Sequence, residues 1–402
     1  MPSTRKKVPF QIWAIGVSSL FLTCSAAMFF SVFAIFLSSI GLSIKDISLI
    51  DGIVEGLGYL FRIVSGFVSD YLSRRKIIFA AGSLFTAISR IIVCISMTSM
   101  GAIAARVLDR LGNGLQSTPR DALIGDYAPK GARGFCFGIR QALGTFGSAL
   151  GTLLVITLFY LNADKFELVF SIASIPALLA SLIIIFLVKD APQHVKRVFL
   201  HKKVLLLGKN EIYLKKVALL GKNFWFLMVV VVVFFMSRFS ESLIILYGKK
   251  AFSLRNDQAI WTMMVYNTVW AVSAYFSGPW VDRVRPDRLM YLGISLTFMA
   301  NIIFITSTNY IVFLLGVIFW GLQIGLMQNI FCTGVANASP RELRGTSFGI
   351  YYFFTTVSIL IANIIGGHLM EYVAKAAFAY GAFVCALSCL AVFLTNFLRE
   401  RR

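Results

Sequence analysis

The sequence predicts an all-α membrane protein with twelve transmembrane helices arranged as two pseudo-symmetric six-helix bundles. Composition is the first observation behind this prediction. Of the 402 residues, 58% are hydrophobic and only 14% are charged, whereas a soluble chain would carry about a quarter charged residues. Apolar runs follow one another with short polar breaks, which is the pattern of helices that cross a bilayer.

An internal repeat is the second observation. Residues 66–76 recur in degraded form as residues 278–288, at an offset of 212 positions. Residues 129–139 recur as residues 340–350, at an offset of 211 positions and with six identities at matched spacing. Both offsets are slightly over half the chain, so the chain looks like a duplicated half. In a hydrophobic protein, such a duplication indicates a transporter built around a pseudo-symmetry axis.

The apolar runs divide into two sets of six predicted spans. We expect an N-terminal bundle over 1–189, a basic linker over 190–222 that lies along the membrane surface, and a C-terminal bundle over 223–402. The predicted spans are 10–39, 45–68, 77–98, 101–125, 133–160, 167–189, 224–247, 257–281, 289–306, 309–335, 344–370 and 373–397.

The net charge of +20 would suit a nucleic-acid partner, but its distribution argues for a membrane. The basic residues gather in seven clusters that all fall on one side if the N-terminus is cytoplasmic. This is the positive-inside rule, and it predicts that both termini are cytoplasmic and that no nucleic acid is bound. The clusters lie at 1–7, 74–76, 130–133, 189–222, 283–288, 341–344 and 399–402.

Several function classes lack their sequence signals. No Walker motif or Gly-rich nucleotide loop appears, which excludes an ATP-driven pump unless a separate subunit supplies the ATPase. The six cysteines form no CxxC pair and the three histidines are scattered, so we expect neither a metal site nor another cofactor. No nucleophile–base set indicates an enzyme.

Across its whole length the chain resembles the major facilitator superfamily. The signature between spans 2 and 3 of that family reads G-x-x-x-D-(R/K)-x-G-(R/K)-(R/K)-(R/K), and it is matched here by Gly66, Asp70, Arg74, Arg75 and Lys76. Residues 109–114 and 119–124 are similar to a bacterial branch often labelled as efflux. The resemblance implies a multi-pass protein of the bacterial inner membrane that works as a monomer by alternating access. It also implies that spans 1, 4, 7 and 10 line a central cavity.

The repeated acids have a physical rationale of their own. Asp70 ends span 2, where it can meet the positive N-terminus of span 11, and Asp282 can meet the N-terminus of span 5 in the same way. Such contacts would hold the cytoplasmic side shut in one state and break in the other, although they could also be static salt bridges. The predicted gating residues are Gly66, Asp70, Arg74, Arg75, Arg133, Asp282 and Arg344.

Charged residues within spans are costly and are therefore functional candidates. Two alternatives remain open: Arg106–Asp109 and Arg238–Glu241 could be neutral intrahelical pairs. In addition, the acids and arginine near the cytoplasmic end of span 4 could bond with Arg74 or Arg75; these are Arg120, Asp121 and Asp126. The predicted substrate-binding residues are Arg110, Asn113, Arg140, Arg238, Tyr266, Trp270 and Gln323.

The excess of arginine favours secondary transport of a small organic anion, such as a polycarboxylate or a citrate-type siderophore, because a guanidinium binds a carboxylate through two parallel hydrogen bonds. Protons would drive this transport. Burial disfavours a charged carboxylate and a nearby arginine favours it, so we assign the proton to Glu241 first and Asp109 second. The alternatives are a proton-antiporting exporter of drugs or metabolites, and a receptor or membrane enzyme that transports nothing.

Overall fold

The computed structural model describes residues 8–39, 44–72, 74–160, 166–191, 220–254, 256–373 and 375–400. Its regular structure over these residues is helical, with thirteen α-helices and a single 3₁₀ turn at Arg341–Leu343. The α-helices are α1 (Phe10–Ser39), α2 (Ile44–Leu72), α3 (Arg75–Ile95), α4 (Ser99–Tyr127), α5 (Arg133–Tyr160), α6 (Phe166–Leu187), α7 (Lys222–Met236), α8 (Glu241–Phe252), α9 (Asn256–Arg283), α10 (Pro286–Thr306), α11 (Tyr310–Ala338), α12 (Arg344–Tyr372) and α13 (Ala376–Glu400).

Eight of the described helices are long and apolar enough to cross a membrane: α1, α3, α5, α6, α10, α11, α12 and α13. Three more, α2, α4 and α9, have 28 or 29 residues each, which is enough to span a bilayer at 1.5 Å per residue. These three are more polar, since α2 and α4 carry many of the charges that the sequence places inside spans. The predicted all-α membrane fold is therefore confirmed.

The helices pack as two bundles, α1–α6 and α7–α13, which meet mainly along the pairs α2–α12 and α5–α9. The sequence repeat makes α9 the counterpart of α2 and α12 the counterpart of α5, so the two contacts are related by the pseudo-symmetry. The predicted two-bundle layout is confirmed by this packing. Most of the predicted linker, 192–219, lies outside the described residues.

The predicted seventh span, 224–247, is wrong as a single helix. It is divided between α7 and α8, and Ser240 caps α8 by accepting the Leu243 N–H at 3.3 Å. The intervening sequence 237–240 contains neither glycine nor proline, so contacts from α12 must stabilise the break. The Ser240 N–H donates to Asn363 Oδ1 at 2.9 Å, and Gly366 leaves room for Phe239, whose ring lies 2.5 Å from where a Cβ would stand.

We call the end of the molecule where α2, α4, α9 and α11 end the basic end, because the loops there hold the basic clusters 74–76, 130–133, 283–288 and 341–344. A buried apolar cluster extends across both bundles toward this end. Within it, the Phe137 ring of α5 lies 5.8 Å from the Phe348 ring of α12. The bundles are thus in close contact at the basic end in this structure.

Candidate functional site

The first contact between the bundles at the basic end is made by Asp70, the last acid of α2. Its carboxylate accepts the Gly345 N–H at 3.0 Å and the Thr346 N–H at 2.6 Å, both from the first turn of α12. Arg75 donates to the same carboxylate at 2.8 Å. A Cβ at Gly345 would stand 2.5 Å from Ser69 Oγ, so glycine is needed for this approach. We call this contact the first latch.

The second latch is its counterpart between α9 and α5. The Asp282 carboxylate accepts the Gly134 N–H at 2.8 Å and the Phe135 N–H at 2.9 Å. A Cβ at Gly134 would come within 2.6 Å of the Gly278 carbonyl oxygen. Free N–H groups and the helix dipole make a helix N-terminus a good site for an anion. The predicted contacts of both acids are confirmed, whereas their role in gating stays a prediction.

Asp126, near the end of α4, adds an ion pair to the first latch. It binds Arg75 at 2.5 Å within its own bundle and Arg344 of α12 at 2.6 Å across the gap. The three side chains are between 1% and 3% exposed. The expectation that Asp126 bonds with Arg75 is confirmed. Arg74, also predicted to gate, is exposed and caps α3 without a side-chain hydrogen bond.

The second latch has a neutral residue where the first has an acid. The repeat makes Arg133 the counterpart of Arg344 and Asn337 the counterpart of Asp126. Arg133 Nη1 donates to Asn337 Oδ1 at 2.5 Å and to the Ala336 carbonyl at 2.8 Å. Arg344 Nη2 donates to the same Ala336 carbonyl at 3.1 Å. The two latches therefore meet at the last turn of α11 but differ in charge.

Deeper between the bundles, Asp121 of α4 organises a second group of charges. Its fully buried carboxylate accepts a hydrogen bond from the Tyr352 hydroxyl of α12. Arg120 Nε donates to it at 3.0 Å, and Arg140 Nε of α5 lies 3.7 Å away. The alternative that Arg120 and Asp121 bond with Arg74 or Arg75 is wrong, because the helix turns them toward α5 and α12 rather than toward the basic end.

Arg62 of α2 completes this group. Its Nη2 donates to Asn113 Oδ1 at 2.9 Å, and its guanidinium lies 5.3 Å from the centre of the Tyr352 ring. We call these residues the central cluster: Arg62, Asn113, Arg120, Asp121, Arg140 and Tyr352. Arg120 and Arg140 lie against the Asp121 carboxylate, and Arg62 reaches the cluster through Asn113 and Tyr352. The described side chains of the cluster therefore include three guanidinium groups and one carboxylate. Of the predicted substrate-binding residues, Asn113 and Arg140 belong to it, whereas Arg62, Arg120, Asp121 and Tyr352 were not predicted as a site.

A third group of charges lies inside the first bundle. The guanidinium groups of Arg110 and Arg106 lie over the Phe30 ring of α1, at 4.4 Å and 4.3 Å from its centre. Asp109 pairs with Arg90 of α3 at 2.7 Å. The predicted alternative of an Arg106–Asp109 pair within α4 is therefore wrong. Asp109 is the counter-ion of a fully buried arginine on a neighbouring helix.

The break between α7 and α8 places Arg238 and Glu241 in the second bundle. Arg238 is 5% exposed and lies 5.5 Å from the centre of the Trp320 ring. Glu241 accepts the Tyr266 hydroxyl at 2.9 Å, and Tyr266 also lies within electrostatic reach of Arg238. The alternative of an intrahelical Arg238–Glu241 pair is wrong, because the two residues are not on one helix and Tyr266 interacts with both.

Glu241 and Tyr266 line a cleft together with Thr262 and Trp320. The Tyr266 ring lies 5.7 Å from that of Trp270. Several buried polar atoms of this bundle have no hydrogen-bond partner among the described residues, namely the indole nitrogens of Trp270 and Trp320 and both amide atoms of Gln323. The predicted substrate-binding residues therefore lie in three places, the central cluster, the first bundle and this cleft region. Among the described residues, no group of three His, Cys, Asp or Glu side chains could hold a metal ion.

The chain matches known proteins over most of its length. A family model described as Major Facilitator Superfamily matches residues 15–335 and 237–402. An uncharacterised MFS-type transporter of Methanocaldococcus jannaschii is 24% identical over 385 residues, covering 94% of this chain and 93% of that protein. The arabinose-proton symporter of Bacillus subtilis is 37% identical over 107 residues, covering 27% and 21%. Among solved structures, the human organic anion transporter TETRAN superposes with a TM-score of 0.75 at 12% identity, covering 96% of this chain and 98% of that one.

Proposed function

The chain belongs to the major facilitator superfamily, and on that premise we propose that it is a secondary active transporter that moves a small organic anion by alternating access. The central cluster is the observation that carries this proposal. Its three arginines come from α2, α4 and α5, and its tyrosine comes from α12 in the other bundle. A substrate bound there would contact both bundles. Such contact is needed if the substrate is to change the relative orientation of the bundles.

The charge of the central cluster favours an anion. Buried charges are costly unless they are paired. Among the described side chains of the cluster, Asp121 is the one carboxylate; it lies against Arg120 and Arg140, whereas Arg62 donates to the neutral Asn113. An anion with two carboxylates would neutralise the excess of two positive charges. Planar guanidinium groups match carboxylates through paired hydrogen bonds, which a lysine would not provide. A polycarboxylate, including a citrate-type siderophore, is the substrate class that these residues favour.

We place the basic end in the cytoplasm, which puts both termini there and makes the protein a monomeric, multi-pass component of a bacterial inner membrane. The support is the positive-inside rule, because four basic clusters lie together at the end where the latches form. The two latches would then close the cytoplasmic side in the present conformation. Breaking them would open the cavity to the cytoplasm.

Protons are the proposed driving force, and Glu241 is the proposed carrier. Its carboxylate is held by Tyr266 at 2.9 Å rather than by an arginine. Glu241 also lines the cleft with Tyr266 and Trp320. Asp109 is the weaker candidate because it is already the ion-pair partner of Arg90, at 2.7 Å.

A proton-coupled sugar or polyol transporter is the second candidate. The 107-residue match to an arabinose-proton symporter favours it. The unpartnered amide of Gln323 and the unpartnered indole nitrogens of Trp270 and Trp320 also favour it, because they could bind hydroxyl groups. The similarity in fold to an organic anion transporter does not separate the two candidates.

Thermal unfolding of the purified protein with a panel of ligands tests the proposal. The panel is citrate, succinate, phosphate, L-arabinose and myo-inositol. A ligand at ten times its Kd stabilises by about 1.4 kcal/mol and should raise Tm by about 2 °C. We expect citrate or succinate to do so in the wild type but not in Arg140→Ala. Stabilisation by a sugar or polyol alone would refute the proposal of an anionic substrate and favour the second candidate function.

Uptake of the stabilising ligand into proteoliposomes then tests the coupling. An imposed pH gradient, acidic outside, should drive accumulation if protons and substrate move together. Accumulation under the opposite gradient would indicate an antiporter. Equal uptake with and without a gradient would refute proton coupling.

A further inference from the structure

Asp121 interacts with both bundles in the central cluster. Its carboxylate forms salt bridges with Arg120 and Arg140 in the first bundle. The same carboxylate accepts a hydrogen bond from Tyr352 in the second bundle. Asp121 is therefore the counter-ion of two arginines in its own bundle, and it also accepts a hydrogen bond that links the two bundles.

A substrate carboxylate would seek the same guanidinium groups as Asp121. Because a carboxylate and Asp121 are chemically alike, binding of one at Arg140 weakens the hold of the arginines on the other. We propose that an anionic substrate displaces Asp121 from Arg140, and that this displacement loosens the bond between Asp121 and Tyr352 and so favours opening of the basic end. The displacement rests on the proposed anion function, whereas the bond between the bundles does not.

The position of this bond explains how its loss would reach the first latch. Helices α4 and α12 carry two bonds between the bundles, Asp121 with Tyr352 and Asp126 with Arg344. The two acids are five residues apart on α4, and the partners are eight residues apart on α12. Each helix is continuous between its two positions. A movement of α12 that breaks the inner bond therefore also strains the outer one.

Cys332 of α11 is a natural reporter of this region. Its side chain is fully buried, and its thiol lies within electrostatic reach of Asp121, Arg120 and Arg140 although it belongs to the other bundle. Separation of the bundles at the central cluster would expose it to N-ethylmaleimide. The measurement uses a variant that keeps Cys332, with the five other cysteines replaced by alanine.

The test compares the rate of Cys332 alkylation in two tyrosine variants. Tyr352→Phe removes the hydrogen bond to Asp121 without changing any charge. Loss of a hydrogen bond to a charged group should shift the equilibrium between closed and open bundles by a factor of about ten or more. We expect alkylation to rise about ten-fold. Tyr247→Phe is the matched control, since the buried Tyr247 hydroxyl donates to Phe304 within the second bundle. If the two variants react at the same rate, the proposed bond between the bundles is refuted.

A second measurement tests displacement by the anion. In the variant that keeps only Cys332, citrate should accelerate alkylation while Asp121 is present but not after Asp121→Asn, where no charged carboxylate remains to be displaced. If citrate raises Tm but leaves the rate of Cys332 alkylation unchanged, the proposed displacement of Asp121 is refuted, whereas the proposed anion function is not. If no anion of the panel raises Tm, the anion function and the displacement fail together, and Tyr352→Phe still decides whether the bond holds the bundles.

Discussion

Replacing Asp126 by asparagine would give the first latch the neutral residue that the second latch already has. In the closed state Asp126 bonds with Arg75 in its own bundle and with Arg344 across the gap, at 2.5 Å and 2.6 Å. Of these two bonds, the one to Arg344 is lost when the bundles separate. The change in that single bond therefore decides how the substitution shifts the balance between closed and open states.

The size of the shift follows from the change in that bond. A hydrogen bond to a charged group contributes about 1.5–3 kcal/mol, and one with a neutral partner about 0.5–1.5 kcal/mol. Asp126→Asn keeps an acceptor oxygen but loses its charge, so it should cost the closed state about 1–1.5 kcal/mol. Because about 1.4 kcal/mol is a factor of ten, the open state should become about five to ten times more populated.

Alkylation of Cys136 is the assay. This buried thiol lies on α5 within electrostatic reach of Asp282 of the other bundle, so it reports opening at the basic end. Asp126→Asn should accelerate its reaction with N-ethylmaleimide about five- to ten-fold. Asn337→Asp, which gives Arg133 a charged partner, should slow the reaction by a similar factor.

Two controls separate local opening from other effects. Asp190→Asn removes a carboxylate from the same end, but Asp190 accepts the Lys76 N–H at 2.8 Å within the first bundle, so Cys136 should react at the wild-type rate. Cys385 is buried in the second bundle, and faster alkylation there would report unfolding instead. If Asp126→Asn leaves Cys136 as protected as in the wild type, the charge difference between the latches has no effect on closure and the reasoning is refuted.

Three further predictions follow from the same geometry. Asp70→Asn should insert and fold but transport very little, because two helix N–H groups lose a charged acceptor; normal transport by a well-expressed variant would contradict the gating role. Arg140→Lys should weaken the apparent affinity for an anion although the charge is kept, and unchanged affinity would remove the main support for an anionic substrate. Glu241→Gln should keep substrate exchange in proteoliposomes but lose accumulation driven by a pH gradient, whereas retained accumulation would place the coupling site elsewhere.

The latches could be predicted from the sequence because two kinds of information coincide there. The repeat shows that Asp70 and Asp282 are equivalent, and the chemistry of helix ends says what an acid at that position would meet. The matching glycines Gly134 and Gly345 indicate the close approach. The chemistry of helix N-termini and the internal repeat were together sufficient to predict these contacts.

The break between α7 and α8 could not be predicted in this way. The sequence Ser237-Arg-Phe-Ser240 contains no residue that interrupts a helix strongly, and the apolar pattern runs through it. The contacts that stabilise the break come from Asn363 and Gly366 of α12, more than a hundred positions away. Only the tertiary structure reveals them, and the alternative of an intrahelical Arg238–Glu241 pair failed for that reason.

The central cluster was missed for a related reason. Arg120 and Asp121 lie near the cytoplasmic end of predicted span 4, so bonds with Arg74 or Arg75 were the simpler interpretation. Their partners Arg140 and Tyr352 come from α5 and α12, and no spacing rule connects these helices. The usable signal was the presence of arginines within predicted spans 2, 4 and 5, namely Arg62, Arg120 and Arg140.

The first latch also has a consequence for the speed of the transport cycle, because its charged side chains keep partners inside their own bundles. Arg75 binds both Asp70 and Asp126 within the first bundle, and Arg344 donates to the Ala336 carbonyl within the second. When the bundles move apart, water replaces only the bonds that cross the gap. No stranded ion is left behind, and such an ion would add several kcal/mol to the barrier. The closed and open forms can therefore stay nearly isoenergetic, so that binding of a single small molecule suffices to reverse their order at each turnover.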